Sequence, residues 1–341
     1  MNRNNKRSGT VLLALFAANL AAVVCMAQTR ELKLSTANVI WAPLDGRAKP
    51  ALRITSGETV RVETMLYGID RLRVLGVPDA EIPDSLKELE AYGKEHGLSG
   101  APQTGPIYVE GAEPGDVLEV HIQGFEFLHP FGWTQFRPGR GTLPDDFPYF
   151  RVKLVRFHPE AGTAEFAPGI TLKLAPFWGT ITVAASAVAG IFPGSSPGPF
   201  GGNFDNKELV AGSILYLPVH VPGGLIAFSD GHGLQGDGEV SVAAAETSLR
   251  GTVQIFVRKG KRIPWPRAET PTHFIAMGFH PDLNEAARLA VREMIDFLNS
   301  EKGLTRDEAY LLCSLAADLH VTQVVDGTKG IHAMLPKSIF K

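Results

Sequence analysis

The chain has 341 residues, 44% hydrophobic and 20% charged, with 36 glycines, 24 prolines and 2 cysteines. A chain this apolar and this weakly charged buries a core, which excludes a disordered segment, and the lack of any basic cluster excludes a nucleic-acid surface. The glycine and proline excess follows no repeat and favours turns between strands over long helices.

At the N-terminus Arg3, Lys6 and Arg7 precede an apolar run from Val11 to Val24, and Cys25-Met26-Ala27 closes it with small residues. This is the pattern of a secretory signal cut near Ala27, so residues 1–27 are set aside and 28–341 form the mature domain. As a helix the run would rise about 21 Å, short of the roughly 30 Å hydrocarbon core, so no stable membrane anchor is expected and the mature protein is periplasmic or secreted. Removing three basic residues and no acid takes the formal charge from −3 to −6. One cysteine, Cys313, remains, so no internal disulfide is available.

Leu32 to Glu63 reads as strands, with a hairpin at Ser56-Gly57-Glu58 between Leu52–Ile54 and Thr59–Glu63. Residues 70–104 form a loop-rich insertion with a short surface helix over Asp79 to Gly97, marked by Leu86 and Leu89. Thr104 to Ile122 returns to strands around the turn Glu113-Pro-Gly-Asp116. The series continues with Arg151–Val155, Gly169–Lys173, Thr180–Val188, Ser213–Val221, Val240–Ala245 and Thr252–Arg258. Asp282 to Leu298 has helical spacing and stops at Gly303. Thr305 to Leu319 is a second helix with a capping box at Thr305-Arg-Asp-Glu308 and a stripe of Tyr310, Leu311, Ser314, Leu315 and Leu319. The expected fold is mainly β (α+β), with sandwich or barrel-like sheets and a C-terminal helical pair (282–319) on one face. The strand-rich stretches 32–125 and 150–258 are candidates for a duplication.

The densest chemistry is Gly201-Gly-Asn203-Phe-Asp205, followed by Ser229-Asp230-Gly-His232-Gly-Leu-Gln235-Gly-Asp237-Gly-Glu239 and then Glu246. Glycines beside polar residues allow sharp turns and close approach of a small ligand. Asp230 and His232, two apart, can face the same way, and a mixed carboxylate and imidazole set suits a divalent metal, zinc or calcium. The plain alternative is a tight turn, for which Gly-Asp-Gly is ordinary chemistry. Gly194-Ser-Ser196-Pro-Gly198 fits a hydrolase nucleophile elbow, but Pro197 and Pro199 forbid the helix that must follow, so it is a loop. Cys313 lies among Leu311, Leu312, Leu315 and Ala316 and is a core thiol. His220 is the one scattered histidine placed to support the cluster.

Together with Thr104 to Asp116, Leu217-Pro-Val-His-Val-Pro-Gly223 and Gln323-Val-Val-Asp326, these motifs in order resemble the acetamidase/formamidase family over most of residues 50–337. The resemblance implies hydrolysis of small aliphatic amides to a carboxylate and ammonia, on a mainly β fold, by a homo-oligomer. On that reading Asp205, Asp230 and His232 hold the metal and Glu239 or Glu246 moves the proton, with Glu239 preferred as nearer the Asp-His loop. Asn203 and Gln235 bind the amide. In a regular strand Glu239 and Glu246 would face opposite ways, so both reach one site only through a bulge or bend. The rivals are an exported β-rich binding module stabilised by calcium without turnover, and the same fold acting on another amide or ester.

Overall fold

The computed structural model describes residues 29–41, 43–186 and 196–341. The expected secretory signal, residues 1–27, and Gly194 and Ser195 of the elbow-like motif lie outside them. In chain order come strands β1 (Arg30–Leu32), β2 (Val39–Ile40), β3 (Leu52–Ile54) and β4 (Thr59–Glu63), then helices α1 (Ile69–Val74) and α2 (Asp84–Glu95). Next are β5 (Gln103–Val109), β6 (Val117–Phe127), β7 (Phe131–Phe136), β8 (Arg151–His158), β9 (Thr163–Ala167) and β10 (Ile170–Lys173). The strands β11 (Phe177–Thr182), β12 (Gly201–Asn203), β13 (Ile214–Pro218), β14 (Ile226–His232), β15 (Glu246–Thr247) and β16 (Leu249–Arg258) follow. The chain ends with β17 (Arg267–Glu269), β18 (His273–His280), α3 (Leu283–Lys302), α4 (Arg306–Ala316), β19 (Asp318–Gln323) and β20 (Lys329–Pro336).

Among the described residues these strands form two sheets. One, nine-stranded, runs β1-β4-β16-β6-β13-β17-β18-β20-β19. The other, eleven-stranded, runs β10-β9-β8-β7-β15-β14-β11-β12, with β5 joining at β14 and carrying β2 and β3. Alternation sets the faces: Leu118, Val120 and Ile122 of β6 and Val60 and Val62 of β4 are buried, while Glu119 and His121 turn to the other side of the sheet. Those apolar residues meet Ile54, Ile107, Trp178, Ile181 and Phe228 of the second sheet in one core, so the architecture is a β-sandwich. Each strand-rich stretch supplies strands to both sheets, so neither forms a separate unit.

The helical pair packs where expected. Asp282 caps α3 by accepting the amide N–H groups of Asn284 and Glu285, and Gly303 ends it in the left-handed conformation. Thr305 and Glu308 form the capping box of α4. The second helix and its stripe are corrected: α4 ends at Ala316, so Leu319 falls in β19, and Tyr310, Leu311 and Leu315 are exposed while Ala309 and Cys313 are the buried positions. Small side chains let α4 approach α3 and β20 closely, so the face with less apolar surface faces inward.

Three other expectations change. Residues 240–245 are turn and irregular backbone, with Val242 at φ 81°, so no strand runs there. The strand from Thr180 ends at Thr182, and β14 makes Asp230 and His232 strand residues where a loop was expected. The insertion at 70–104 is more than a surface loop. Its helices bury Ile69, Leu72, Leu86 and Leu89 with Phe131 and Trp133, and stand as a wall beside the second sheet.

Candidate active site

Strand register brings the cluster together. On β11 and β14, Trp178 pairs with Gly231 and Thr180 with Ser229, which places Gly179 opposite Asp230. Thr180 pairs with Asn203 of β12, and His232 pairs with Glu246 of β15. Asp205 follows β12 directly, and its amide N–H and that of Phe204 both donate to the Gly179 carbonyl.

Around His232, Nε2 stands 3.4 Å from both Asp230 Oδ2 and Glu246 Oε1. Its Nδ1 is 3.0 Å from Gln235 Oε1, and Gln235 Nε2 donates to the Asp205 carbonyl at 2.7 Å. Gln235 Oε1 accepts the Nδ1–H hydrogen bond, which fixes the ring and turns Nε2 towards the acids. Asn203 Nδ2 donates to Asp205 Oδ2 at 2.6 Å and to Asp326 Oδ2 at 2.8 Å, while its Oδ1 accepts from Thr180 Oγ1. Glu246 Oε1 accepts the Ala244 amide N–H at 3.1 Å. One ligand atom from each of Asp205, His232 and Glu239 lies within 4.8 Å of the others, and the same holds for Asp230, His232 and Glu246.

The cluster floors an open cavity of about 770 Å³. Asp230, Glu239, Glu246, Asn203 and Asp326 line it, Asp205 and His232 are buried beneath, and Trp41, Tyr67, Arg71, Arg137 and Arg140 stand in its walls. The irregular backbone after β14 is the bend that lets both Glu239 and Glu246 face one space. Asp205, Asp230 and Glu239 all hold positive φ, at 49°, 59° and 46°. For glutamate this left-handed backbone costs about 1 kcal/mol or more, a local strain of the kind that collects at functional sites.

Electrostatics say what the cluster lacks. Burial, and then the charges of Glu239, Asp326 and Asp230, push the Asp205 carboxyl well above its usual range. Burial likewise pushes Glu239 far up and Glu246 to about 7. For Asp230 burial acts upward too, but His232 beside it brings the carboxyl below its ordinary value. Burial opposes a charge on His232, yet Glu246 and Asp230 hold its imidazolium form well above the usual range. These acids require positive charge at Nε2, from a proton or a cation. Asp205 Oδ1 and His232 Nε2 are both buried without a hydrogen-bond partner. A methyl group at Gly179 would lie 2.5 Å from Asp205 Oδ1, 2.7 Å from Asp230 Oδ2 and 2.9 Å from His232 Cε1, so the glycine keeps open the space these atoms share. Unpartnered donors around a preserved space fit a divalent ion.

Of the residues singled out in the sequence, Asp205, Asp230, His232, Glu239, Glu246 and Asn203 converge here. Gln235 is placed differently. Both ends of its amide are engaged and it does not line the cavity, so it orients His232 and is not set to bind an amide. His220 contacts the Pro199 carbonyl at 3.3 Å, none of the site acids. Sequence reasoning missed Gly179, Tyr67 and the role of Asp326. Burial and the neighbouring charges of Glu246 and Asp230 push the Tyr67 phenol well up, so it stays a donor in the cavity wall. Only Asp326 had a signal, as the close of the Gln323 to Asp326 motif.

An acid-and-imidazole floor beneath a concave cavity is the architecture of a small-molecule enzyme. The chain belongs to the acetamidase/formamidase family, whose profile matches residues 49–189 and 194–341, and is accordingly a hydrolase of amide carbon–nitrogen bonds. A Schizosaccharomyces pombe protein carrying the formamidase name is 27% identical over 255 residues, and the match spans 59% of this chain and 59% of that protein's length. The formamidase of Methylophilus methylotrophus is 26% identical over 313 residues, 70% of this chain and 76% of its own. The crystal structure of an acetamidase from Bacillus halodurans superposes with a TM-score of 0.78 at 31% identity, covering 90% of this chain and 98% of that one.

Proposed function

We propose that this chain hydrolyses small aliphatic amides of the formamide and acetamide type, with a divalent metal held by Asp205, Asp230 and His232. The observation that carries the reading is the pair of buried, unpartnered atoms, Asp205 Oδ1 and His232 Nε2, around the space that Gly179 leaves open. The imidazole donor favours zinc over calcium, which prefers an all-oxygen set. When bound, such an ion supplies a Lewis acid that polarises an amide carbonyl and makes water more acidic.

The chain's own groups do the rest. Glu246 is held by the Ala244 amide beside His232 and completes the ligand set. Glu239 lines the cavity with no hydrogen-bond donor fixed to its carboxylate among the described residues, so with a cation in the cluster to offset the burial that pushes its carboxyl up, it is the group free to take a proton from water and return it to the leaving ammonia. Asp326 sits at the floor where the amide nitrogen would rest; Asn203 beside it has both Nδ2 protons on Asp205 and Asp326 and so offers a substrate only the second lone pair of Oδ1, and the Tyr67 hydroxyl offers a further donor. The cavity exceeds the volume of a two-carbon amide, so longer acyl chains should be accepted.

Export after cleavage near Ala27 and assembly into a homo-oligomer belong to the same proposal. The exposed apolar stripe of α4 supports the second. N-terminal sequencing of the mature protein reads the first. No helix among the described residues is long and apolar enough to cross a membrane. Ammonia release from formamide, acetamide and propionamide, with metal content measured before and after chelation, tests the activity. A fully metallated protein that turns over no amide would refute it, and full activity in metal-free protein would refute the role of the ion.

A further inference from the structure

A second cluster of metal-ligating side chains lies outside the cavity lining. His320 of β19 and His332 of β20 are cross-strand partners, and their rings stack with centroids 5.1 Å apart at 16°. Asp237, from the segment leading to Glu239, reaches them: its Oδ2 is 3.1 Å from His320 Nδ1. A ring nitrogen of each histidine and a carboxylate oxygen of Asp237 lie within 4.8 Å of one another.

The two histidines differ in a way that points to a ligand. His320 is partly exposed and paired with Asp237. His332 is fully buried: its Nδ1 is engaged with Thr322 Oγ1 at 2.8 Å, and its Nε2 is buried with no partner. A nitrogen left empty in a core loses its hydration with nothing in return. Burial also disfavours the imidazolium form, so the ring is neutral and keeps a lone pair. An ion-pair network would explain Asp237, which also meets Lys207 Nζ at 3.0 Å, but it leaves His332 Nε2 unexplained. Lys207 is partly exposed, so its ammonium can turn to solvent when another cation takes its place.

We propose that Asp237, His320 and His332 form a second divalent-metal site, selective for zinc or a similar borderline ion and separate from the cluster under the cavity. Two nitrogen donors and one carboxylate suit such an ion, with water filling the remaining position. Ligands at about 2.1 Å from a tetrahedral ion stand roughly 3.4 Å apart, so closing the cluster needs movements of little more than an ångström. The site would fasten the segment bearing Glu239 to the β19–β20 pair. That junction already carries backbone bonds from Gly238 to Thr322 at 3.2 Å and from Val324 to Gly238 at 3.1 Å. The role is therefore structural.

The test is zinc stoichiometry on the full chain, stripped and then titrated with zinc alone, for wild type, His320→Gln, Asp237→Asn and His232→Ala. The proposal expects His320→Gln and Asp237→Asn each to lose one equivalent relative to wild type, to unfold at lower temperature in zinc, and to keep amidase turnover within about twofold. His232→Ala should retain the equivalent that His320→Gln loses. Cobalt substituted for zinc should give an absorption band that disappears in His320→Gln, a readout independent of stability. If His320→Gln and Asp237→Asn bind as much zinc as wild type, the proposal is wrong. If wild type binds one equivalent that only His232→Ala removes, it is also wrong. Loss of activity in His232→Ala alone would bear on the amidase site and leave this one standing.

Discussion

A methyl group at position 179 would fall among Asp205 Oδ1, Asp230 Oδ2 and His232 Cε1, all closer than side-chain carbons approach. Gly179→Ala should therefore lower amide turnover at least 100-fold and reduce bound metal, with the circular dichroism of the fold unchanged; displacements of about an ångström have effects of that size. The two glutamates should separate. Glu239→Gln is expected to lose turnover by about two to four orders of magnitude while keeping its metal, and Glu246→Gln to lose metal as well. Equal metal content in both variants would dissolve the distinction drawn between a free and a pinned carboxylate. Asp230 and His232 were legible in the sequence because polar residues crowd among glycines there and a spacing of two lets both face the same way, although a loop and not a strand was expected to carry them. Gly179 and Tyr67 were not, because nothing local to either reveals that it lies against residues more than twenty positions away.

Within the first sheet, Glu119 of β6 accepts from Arg258 of β16 at 2.5 and 2.7 Å and contacts His121 at 2.6 Å. Arg258 lowers the Glu119 carboxyl, burial opposes it, and His121 adds to the lowering. A carboxyl lowered by folding contributes stability that is present above its unfolded value and is lost as pH falls through its folded value. Glu119→Gln should thus cost about 1–2 kcal/mol at neutral pH, a figure reduced by the exposure of Arg258, and the cost should shrink towards zero in acid. Urea unfolding at several pH values reads this, and a cost independent of pH would contradict it. In the helical pair, Asp282→Ala removes the acceptor for two amides of α3 and should cost about 1 kcal/mol in the same assay. Both helices could be read from periodicity and caps. The buried side of α4 could not, because apolar content favoured Tyr310 and Leu315 while close packing selected Ala309 and Cys313.

For the molecule as a whole, so many carboxylates buried about one imidazole would couple folding to the proposed ion binding. Chelation should lower the melting temperature by about 5 °C, given the roughly 2.7 kcal/mol that a ligand at a hundred times its dissociation constant contributes, and zinc should restore it. Leu315→Lys on the exposed stripe of α4 should shift sedimentation towards the monomer if that face joins copies of the chain. The mainly β class and strands such as β4, β5, β6, β8, β13 and β16 were evident from alternation and Pro-Gly turns, whereas β14 and the C-terminal strands β17 to β20 were not. The partition into two sheets was not, since β4 and β6 enter one sheet while β5, between them in sequence, enters the other.

That interleaving has a consequence for how the protein becomes active. Gly179, Asp205, Asp230 and Glu246 lie within one stretch of the chain, whereas Asp326 comes 80 positions later, after β19. No contiguous fragment that stops short of this strand holds the whole set. Long-range pairings of this kind form slowly and together. Amide turnover should then return only with the slowest structural phase of refolding, whereas ion uptake at the proposed ligands Asp205, Asp230 and His232, none of which lies beyond β14, should precede or accompany it.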